Sequence, residues 1–455
     1  MVTLDRDVVI IGAGACGLTA ATALRRAGAS VVVLEARDRV GGRLETDTGT
    51  GALLELGGQW VSPDQTALKE TVAELGLELF SRYREGDSVY IGRDGTRTRF
   101  KGDIFPTSPT TEAEIERLIA LLDGLVAEID PDRPWDHPRA RELDAVTWRA
   151  FLEQHSDDAE ARDNVALFIA EAMITKPAHT FSALQALLMA ASAGSFSHLV
   201  DADFILDQRV VGGLQQVPLR LADALGDDVV LGRPVRTIEW SDDGVVVHAD
   251  GGMSVRATRA VVAVPPNLYD RIDYVPALPA RRQVLHQHLS LGLVIKVHAV
   301  YETPFWREDG LSGTAFSPYR VVHEAYDNSN HGDPRGVLVG FVSDEKADGL
   351  LAMDPDRRRA AVLDSLADYY GEGARHPLVY VESDWASQEW TRGAYAASFD
   401  MGGLARFGAD AQQPVGPVHF ASSDLAGHGY QHVDGAIRMG RRVAEAVRAV
   451  LPARV

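Results

Sequence analysis

The run Val8-Val9-Ile10-Ile11 leads straight into Gly12-Ala13-Gly14-Ala15-Cys16-Gly17, and Glu35 closes a second apolar run, Val31 to Leu34. Glycines at this spacing suit the binding of a dinucleotide: Gly12 permits a tight turn, Gly14 lets backbone approach a pyrophosphate, and Gly17 lets a helix pack against the sheet. A carboxylate at the end of the second strand can take both hydroxyls of a ribose. Downstream, Arg37 and Arg43 flank a second glycine turn, Gly41-Gly42, and their guanidinium groups can fork onto phosphate oxygens. Further on, Lys296 interrupts the apolar run Leu291 to Val297, and Glu324 lies among Val321, Val322, Ala325 and Tyr326. Lysines are rarely buried without a partner, so Lys296 is either held in a site or faces outward from an edge strand. Glu324, taken alone, reads as a solvated loop residue. No Ser-His-Asp set or metal-ligand cluster stands out.

These residues need elements to hold them. A lone Gly-x-Gly-x-x-Gly is common in turns. Here an apolar strand precedes it, a helix-forming stretch from Leu18 to Ala27 follows, and an acid ends the next strand. A helix start in that position offers free N–H groups to phosphates. Beyond Trp60, helices are expected over Gln65 to Leu77, after a capping box at Thr111-Glu112-Ala113-Glu114, and over Val165 to Ile174 and Phe181 to Ala193. Polar, turn-rich strands are expected between Val89 and Phe100, and a loop from Asp130 to Pro138. This middle block lacks glycine fingerprints and reads as a separate, substrate-side unit. After Gly212-Gly213 the pattern returns to a helix, Gln215 to Leu225, then strands at Val235 to Trp240, Gly244 to His248 and Ala260 to Val264, the last ended by Pro265-Pro266.

Composition bounds the rest. The 455 residues are 45% hydrophobic, enough for a large core and two or three domains. The formal net charge of −20, from 65 acids against 45 bases, opposes nucleic acid and anionic membranes. It would also draw a small cation into an acid-lined cleft, although solubility alone accounts for it. Cys16 is the single cysteine, so no intrachain disulfide can form and a reducing compartment is expected. No run approaches the length of a membrane span, and no signal peptide is evident, so a cytoplasmic protein is expected.

The extended segment from Arg37 to Arg43 and Leu56-Gly57-Gly58-Gln59-Trp60 resemble motifs of the flavin-containing monoamine oxidases. So do Trp385 to Tyr395, Val418 to Asp424, and Tyr430 to Ala436 leading into a final helix. The resemblance covers nearly the whole chain. It implies an α/β protein in which a Rossmann-type FAD-binding domain (1–82, 206–288 and 387–455) is interleaved with an α+β substrate-binding domain (83–205 and 289–386). It implies FAD contacts from Gly12, Gly14, Ala15, Gly17, Glu35, Arg37, Gly42, Arg43, Gly58, Gln59, Trp60, Val235, Trp385, Asp424 and Val433. Within that set, the backbone at Val235 would meet the adenine, Trp385 would lie along the flavin, and the helix start at Val433 would face the flavin pyrimidine ring, where its partial positive charge favours the reduced anion. Lys296 would approach flavin N5 through a water. By the same resemblance Tyr395 would form one wall of an aromatic cage around the reacting amine, with His432 as the second wall, or Tyr430 if the loop differs by two residues.

The activity implied is oxidation of a primary amine at its α-carbon, with O2 as acceptor and hydrogen peroxide, aldehyde and ammonia as products. Glu324 would stand on the cavity wall, where relatives specific for monoamines carry an uncharged side chain. A diamine, putrescine foremost, is therefore the expected substrate. Relatives that bind flavin covalently have a cysteine where this chain has Ala394, so FAD is expected without a covalent bond. A homodimer is implied by the same resemblance. Competing readings are a broader monoamine or polyamine oxidase, an amino-acid oxidase, which would need a cation where Glu324 stands, a carotenoid-type desaturase, which would need a long apolar tunnel, and a flavoprotein scaffold without turnover.

Overall fold

The computed structural model describes residues 2–452. Its first sheet is built from the apolar runs noted above. Strand Val2–Ile11 lies between Val31–Leu34 and Met253–Val262, parallel to both. Val229–Val230 extends one side, and Gly244–Ala249, Val235–Ser241 and Asp273–Val275 extend the other; Val418–Phe420 adds a parallel partner to Ala260–Val262. The strands Val31–Leu34 and Val8 to Ile10 are wholly buried, as a parallel sheet covered on both faces requires. Ile11, Leu34, Val262 and Phe420 are in register across four strands. Their carboxyl ends therefore open at one level, where such sheets bind ligands.

A helix, Ala15–Arg26, follows the first strand and packs against the last helix, Val433–Val450. Contact is close because Gly440 stands against Cys16 and Thr19, leaving no room for a β-carbon. Among the buried residues of the last helix, Ile437, Gly440, Val443, Ala444 and Val447 follow spacings of three and four and make one apolar stripe.

The second sheet has the order Val379–Asp384, Val294–Tyr301, Gly336–Ser343, Glu324–Asp327, Leu311–Phe316, Asp87–Ile91, Arg97–Phe100. Strands of the first sheet come only from residues 2–11, 31–34, 229–275 and 418–420, and those of the second only from 87–100 and 294–384. Small pairings stitch the crossings: Leu289–Leu291 with Ala397–Phe399, and Gln208–Val210 with both Trp60–Val61 and Leu79–Ser81.

Some local expectations shift. The helix read from Thr111 begins earlier, at Pro109, because Ser108 caps it by accepting from Thr111 N at 3.1 Å. Thr111 instead sends its hydroxyl to Asp158. The segment Val165 to Ile174 is not one α-helix: Ala159–Ala166 is α-helical and Leu167–Ile174 continues as a π-helix, ending at Thr175 with φ +56°. Asp130 to Pro138 contains a single 3₁₀ turn, Pro134–Asp136.

Candidate active site

One continuous cavity runs from the glycine turn of the first sheet to the face of the second. At its first end, Gly12 has φ +106°, and a β-carbon there would come within 2.8 Å of Ala263 O. A β-carbon at Gly17 would overlap the carbonyl oxygen of Gly12, so this glycine serves helix packing and does not line the cavity. Gly14 differs: nothing lies within 4 Å of its missing side chain. It is the N-cap of Ala15–Arg26, with no side chain capping that helix. Open space beside uncapped N–H groups is what a pyrophosphate requires. Glu35 is buried; its carboxylate accepts from Ala13 N at 2.7 Å and Arg37 N at 2.9 Å, and it still borders the cavity. Gly42, Gly58, Gln59, Trp60, Val235 and Trp385 line the same space.

The two arginines have protein partners. Arg37 donates to Gln388 and Thr391, joining the first fifty residues to the C-terminal third. Arg43 grips Asp424 with both terminal nitrogens, at 2.9 and 2.5 Å, and also donates to Tyr395 O at 2.7 Å. Both arginines border the cavity; Asp424 stands behind Arg43 and does not. Asp424 Oδ1 also accepts from Ala397 N, so this acid orients Arg43 and the Tyr395 segment together.

At the other end, three adjacent strands bring Lys296, Phe341 and Glu324 into one row, with Lys296 opposite Phe341 and Phe341 opposite Glu324. Directly opposed residues point to the same face of a sheet, and all three line the cavity. Lys296 is buried, not an outward-facing edge residue. Its Nζ donates to Glu55 O at 2.6 Å, Gly57 O at 2.8 Å and Gln59 Oε1 at 2.5 Å. It also lies 5.5 Å from the centroid of Trp60 and 5.8 Å from that of Phe341. Burial pushes its pKa down to about 7, against the attraction of Glu55.

Glu324 begins the strand Glu324–Asp327 and is 5% exposed, so it is no solvated loop residue. It accepts from Tyr326 OH at 2.8 Å. Tyr395 packs edge-on to Phe341, with centroids 6.1 Å apart, and lines the cavity. Burial raises its pKa, and the charge of Glu324 raises it further.

His432 lines the cavity as the N-cap of Val433–Val450, its Nδ1 2.9 Å from Tyr430 O. Val433 borders the cavity beside it, and no side chain caps this helix start. Tyr430 is on the far side: it is buried, bonds Ala397 O through its hydroxyl, and does not line the cavity. The position two residues before His432 is therefore unable to supply a cage wall. Gln431, with φ +63°, does face the cavity.

Sequence reasoning missed Gln431, Phe341, and the apolar lining from Phe105, Phe168, Met173 and Phe316. It also missed the buried pair behind Lys296, in which Arg209 donates to Glu55 Oε2 at 2.9 and 2.8 Å and both side chains are 1% exposed. Arg209 follows Asp207 and Gln208 directly, so its sequence neighbours gave no signal of burial. Among the described residues, no cluster of His, Cys, Asp and Glu could hold a metal, and no helix is long and apolar enough to cross a membrane.

Residues 15–448 match the family described as flavin containing amine oxidoreductase. The chain is 59% identical to a putrescine oxidase of Kocuria rosea, covering 98% of this chain and 95% of that one. A solved structure of a putrescine oxidase bound to putrescine superposes with a TM-score of 0.97 at 65% identity, covering 98% of this chain and 100% of that one. Cyclohexylamine oxidase from Brevibacterium oxydans is similar at 33% identity and a TM-score of 0.93, covering 98% and 99% of the two chains. The chain belongs to the flavin-containing amine oxidoreductases.

Proposed function

We propose that this protein oxidises a primary diamine, putrescine above all, using FAD held without a covalent bond. Amine, O2 and water give the aminoaldehyde (4-aminobutanal from putrescine), ammonia and hydrogen peroxide. The observation that carries this reading is a buried carboxylate, Glu324, in a cavity whose wall around it is mainly aromatic, from Trp60, Phe316, Tyr326, Phe341 and Tyr395, and which also contains Lys296 and the buried Arg82 over the Tyr326 ring. A buried charge calls for a partner, and the distal ammonium of a diamine supplies one. The 59% identity to a putrescine oxidase supports the same substrate.

The residues present fit a flavin dinucleotide. Open space at Gly14, the uncapped helix beside it and the buried Glu35 suit the pyrophosphate and ribose. Cys16, the sole cysteine, is buried in the glycine turn, and burial pushes its thiol up to about 12. Thiols, not thiolates, are poor nucleophiles, and Ala394 offers none. Bound in this cavity, FAD supplies the two-electron chemistry, taking electrons from the amine and passing them to O2.

The chain positions and excludes. Tyr395 and His432 frame the reacting amine, and the aromatic lining from Trp60, Phe341, Phe316 and Tyr326 keeps water away. Glu324 holds the far end of the substrate and so fixes its depth. Lys296 places positive charge where oxygen is reduced, with Gln59 and the carbonyls of Glu55 and Gly57 aiming its ammonium. Asp424 acts through Arg43, holding the segment that carries Tyr395. The flavin side comprises residues 1–82, 206–288 and 387–455, and the substrate side 83–205 and 289–386. A homodimer in the cytoplasm follows from the resemblance and from the single cysteine.

The experiment is direct: the yellow protein is mixed with putrescine in air, and peroxide and aldehyde are assayed together. Equal amounts of both support the reading. A flavin-loaded protein that yields neither from any diamine contradicts it.

A further inference from the structure

Behind Glu324 a line of charged groups leads away from the cavity. His323 is completely buried, and its ring stands between two carboxylates: Nε2 is 3.6 Å from Glu324 Oε1, and Nδ1 is 3.8 Å from Glu171 Oε2. Neither ring nitrogen has a hydrogen-bond partner. Glu171, on the π-helix Leu167–Ile174, accepts from Lys346 Nζ at 2.8 Å, and Lys346 also donates to Pro318 O. Glu171 and Lys346 are 19% and 29% exposed in their side chains, so the line reaches solvent. The other titratable or charged groups around it are Tyr326, bonded to Glu324, Arg82, over the ring of Tyr326, Tyr395, whose pKa is raised by burial and by Glu324, Asp344, whose pKa is pushed up to about 6 by burial and, less, by Glu171, Tyr369, bonded to Val322 O, and Arg320, paired with Asp368.

Buried imidazole nitrogens without partners are rare in native proteins. An imidazole between two carboxylates can interact favourably with both only as a cation, because the neutral ring carries a single N–H. Its charge state changes what Glu324 presents to the cavity. A neutral ring leaves the carboxylate its full charge; an imidazolium at this distance neutralises much of it.

We propose that His323 governs how tightly Glu324 holds the distal ammonium of a diamine: the neutral ring leaves the carboxylate to the substrate, and the imidazolium competes with the substrate for it. The proton exchanges with solvent through the exposed end of the line. His323 is thus a specificity residue acting through Glu324. This rests on the diamine reading of the site.

The test compares kcat and KM for putrescine and butylamine on the flavin-loaded enzyme between about pH 5.5 and about pH 8.5, a range that leaves alkylammonium groups, like lysine at ~10.4, protonated throughout. In the wild type, the ratio of putrescine KM to butylamine KM rises on acidification, by about tenfold if ~1.4 kcal/mol of attraction is lost. In His323→Asn the ratio is flat. In Glu171→Gln, which removes the carboxylate beyond the far nitrogen at a partly exposed position, the rise moves to lower pH. A flat wild-type ratio overturns the proposal, as does an unshifted rise in Glu171→Gln, so it stays testable even if the buried His323→Asn variant does not fold. The same rise in folded His323→Asn also overturns it. Glu324→Gln that keeps its preference for putrescine would sink the diamine reading itself, and this proposal with it.

Discussion

Lys296 and Glu324 face the same cavity from strands that flank a third, and Phe341 on that middle strand lies directly opposite each of them. With neighbouring strands roughly 4.8 Å apart, their backbones are separated by roughly 10 Å. A cation and an anion are thus held apart in one cavity by an aromatic ring, and not paired as an ion pair would be. On the proposed reading, Glu324 takes the distal ammonium of the substrate and Lys296 acts where oxygen is reduced. Lys296 is tied instead to neutral oxygens, and Glu324 to a phenol.

Lys296→Met should slow reoxidation of reduced flavin by O2 more than it slows reduction by amine, because its charge acts where negative charge develops on oxygen. With its pKa pushed down to about 7, the wild-type reoxidation rate should fall as pH rises through about 7, while the variant shows no such step. Stopped-flow traces of the two half-reactions measure both. Equal, small effects on the two would leave Lys296 a structural residue. The same depressed pKa affects stability: between about 7 and the ordinary lysine value of 10.5 the unfolded chain binds more protons at this site than the folded one. Stability therefore rises with pH through this window, and the cost of burying the cation is fully present below it.

Gly14 and Gly17 separate binding from folding. Gly14→Ala places a methyl in open space, so the chain should fold while losing flavin, as read by the ratio of flavin to protein absorbance after gel filtration. Gly17→Ala drives a methyl into the carbonyl of Gly12 and should compromise folding, seen as poor soluble yield and early unfolding.

Asp424→Ala should be strongly destabilising. Its side chain is fully buried against Arg43, which is 22% exposed, and removing one partner of a buried pair typically costs about 3–5 kcal/mol. Denaturant unfolding measures this. Replacing both partners, as Arg43→Met with Asp424→Leu, should cost less than Asp424→Ala alone, since no unpaired buried charge remains.

Acid precipitation should release all of the flavin into the supernatant, because Cys16 is a buried thiol and Ala394 cannot form a link. Flavin remaining with the precipitated polypeptide would contradict non-covalent binding.

What the sequence made legible was what is local. The strand, glycine turn, helix and acid from Val8 to Glu35 lie within one supersecondary unit, and each residue type has its own steric reason. Burial of Lys296 could be suspected from its apolar neighbours, although choosing between core and edge needed the strands on both sides, Gly336–Ser343 and Val379–Asp384. Glu324 was not legible alone, since its burial depends on pairing with Phe341. The pair Glu55–Arg209 spans 154 residues, and the lining residues Phe105, Phe168 and Gln431 come from distant segments with no shared period. Thr111 was misread as a cap because Ser108-Pro109 offered an equally good start three residues earlier.

The most direct measurement is kcat/KM of Glu324→Leu on putrescine and on butylamine, side by side. Leaving one charge of a buried pair without its partner typically costs about 2 to 5 kcal/mol, which at ~1.4 kcal/mol per decade is a loss of about thirty-fold to several thousand-fold. Putrescine should lose activity by that order. Butylamine should lose little or gain, because a carboxylate no longer faces its apolar tail. Equal losses on the two amines would contradict a distal-ammonium role for Glu324 and with it the account of diamine selection.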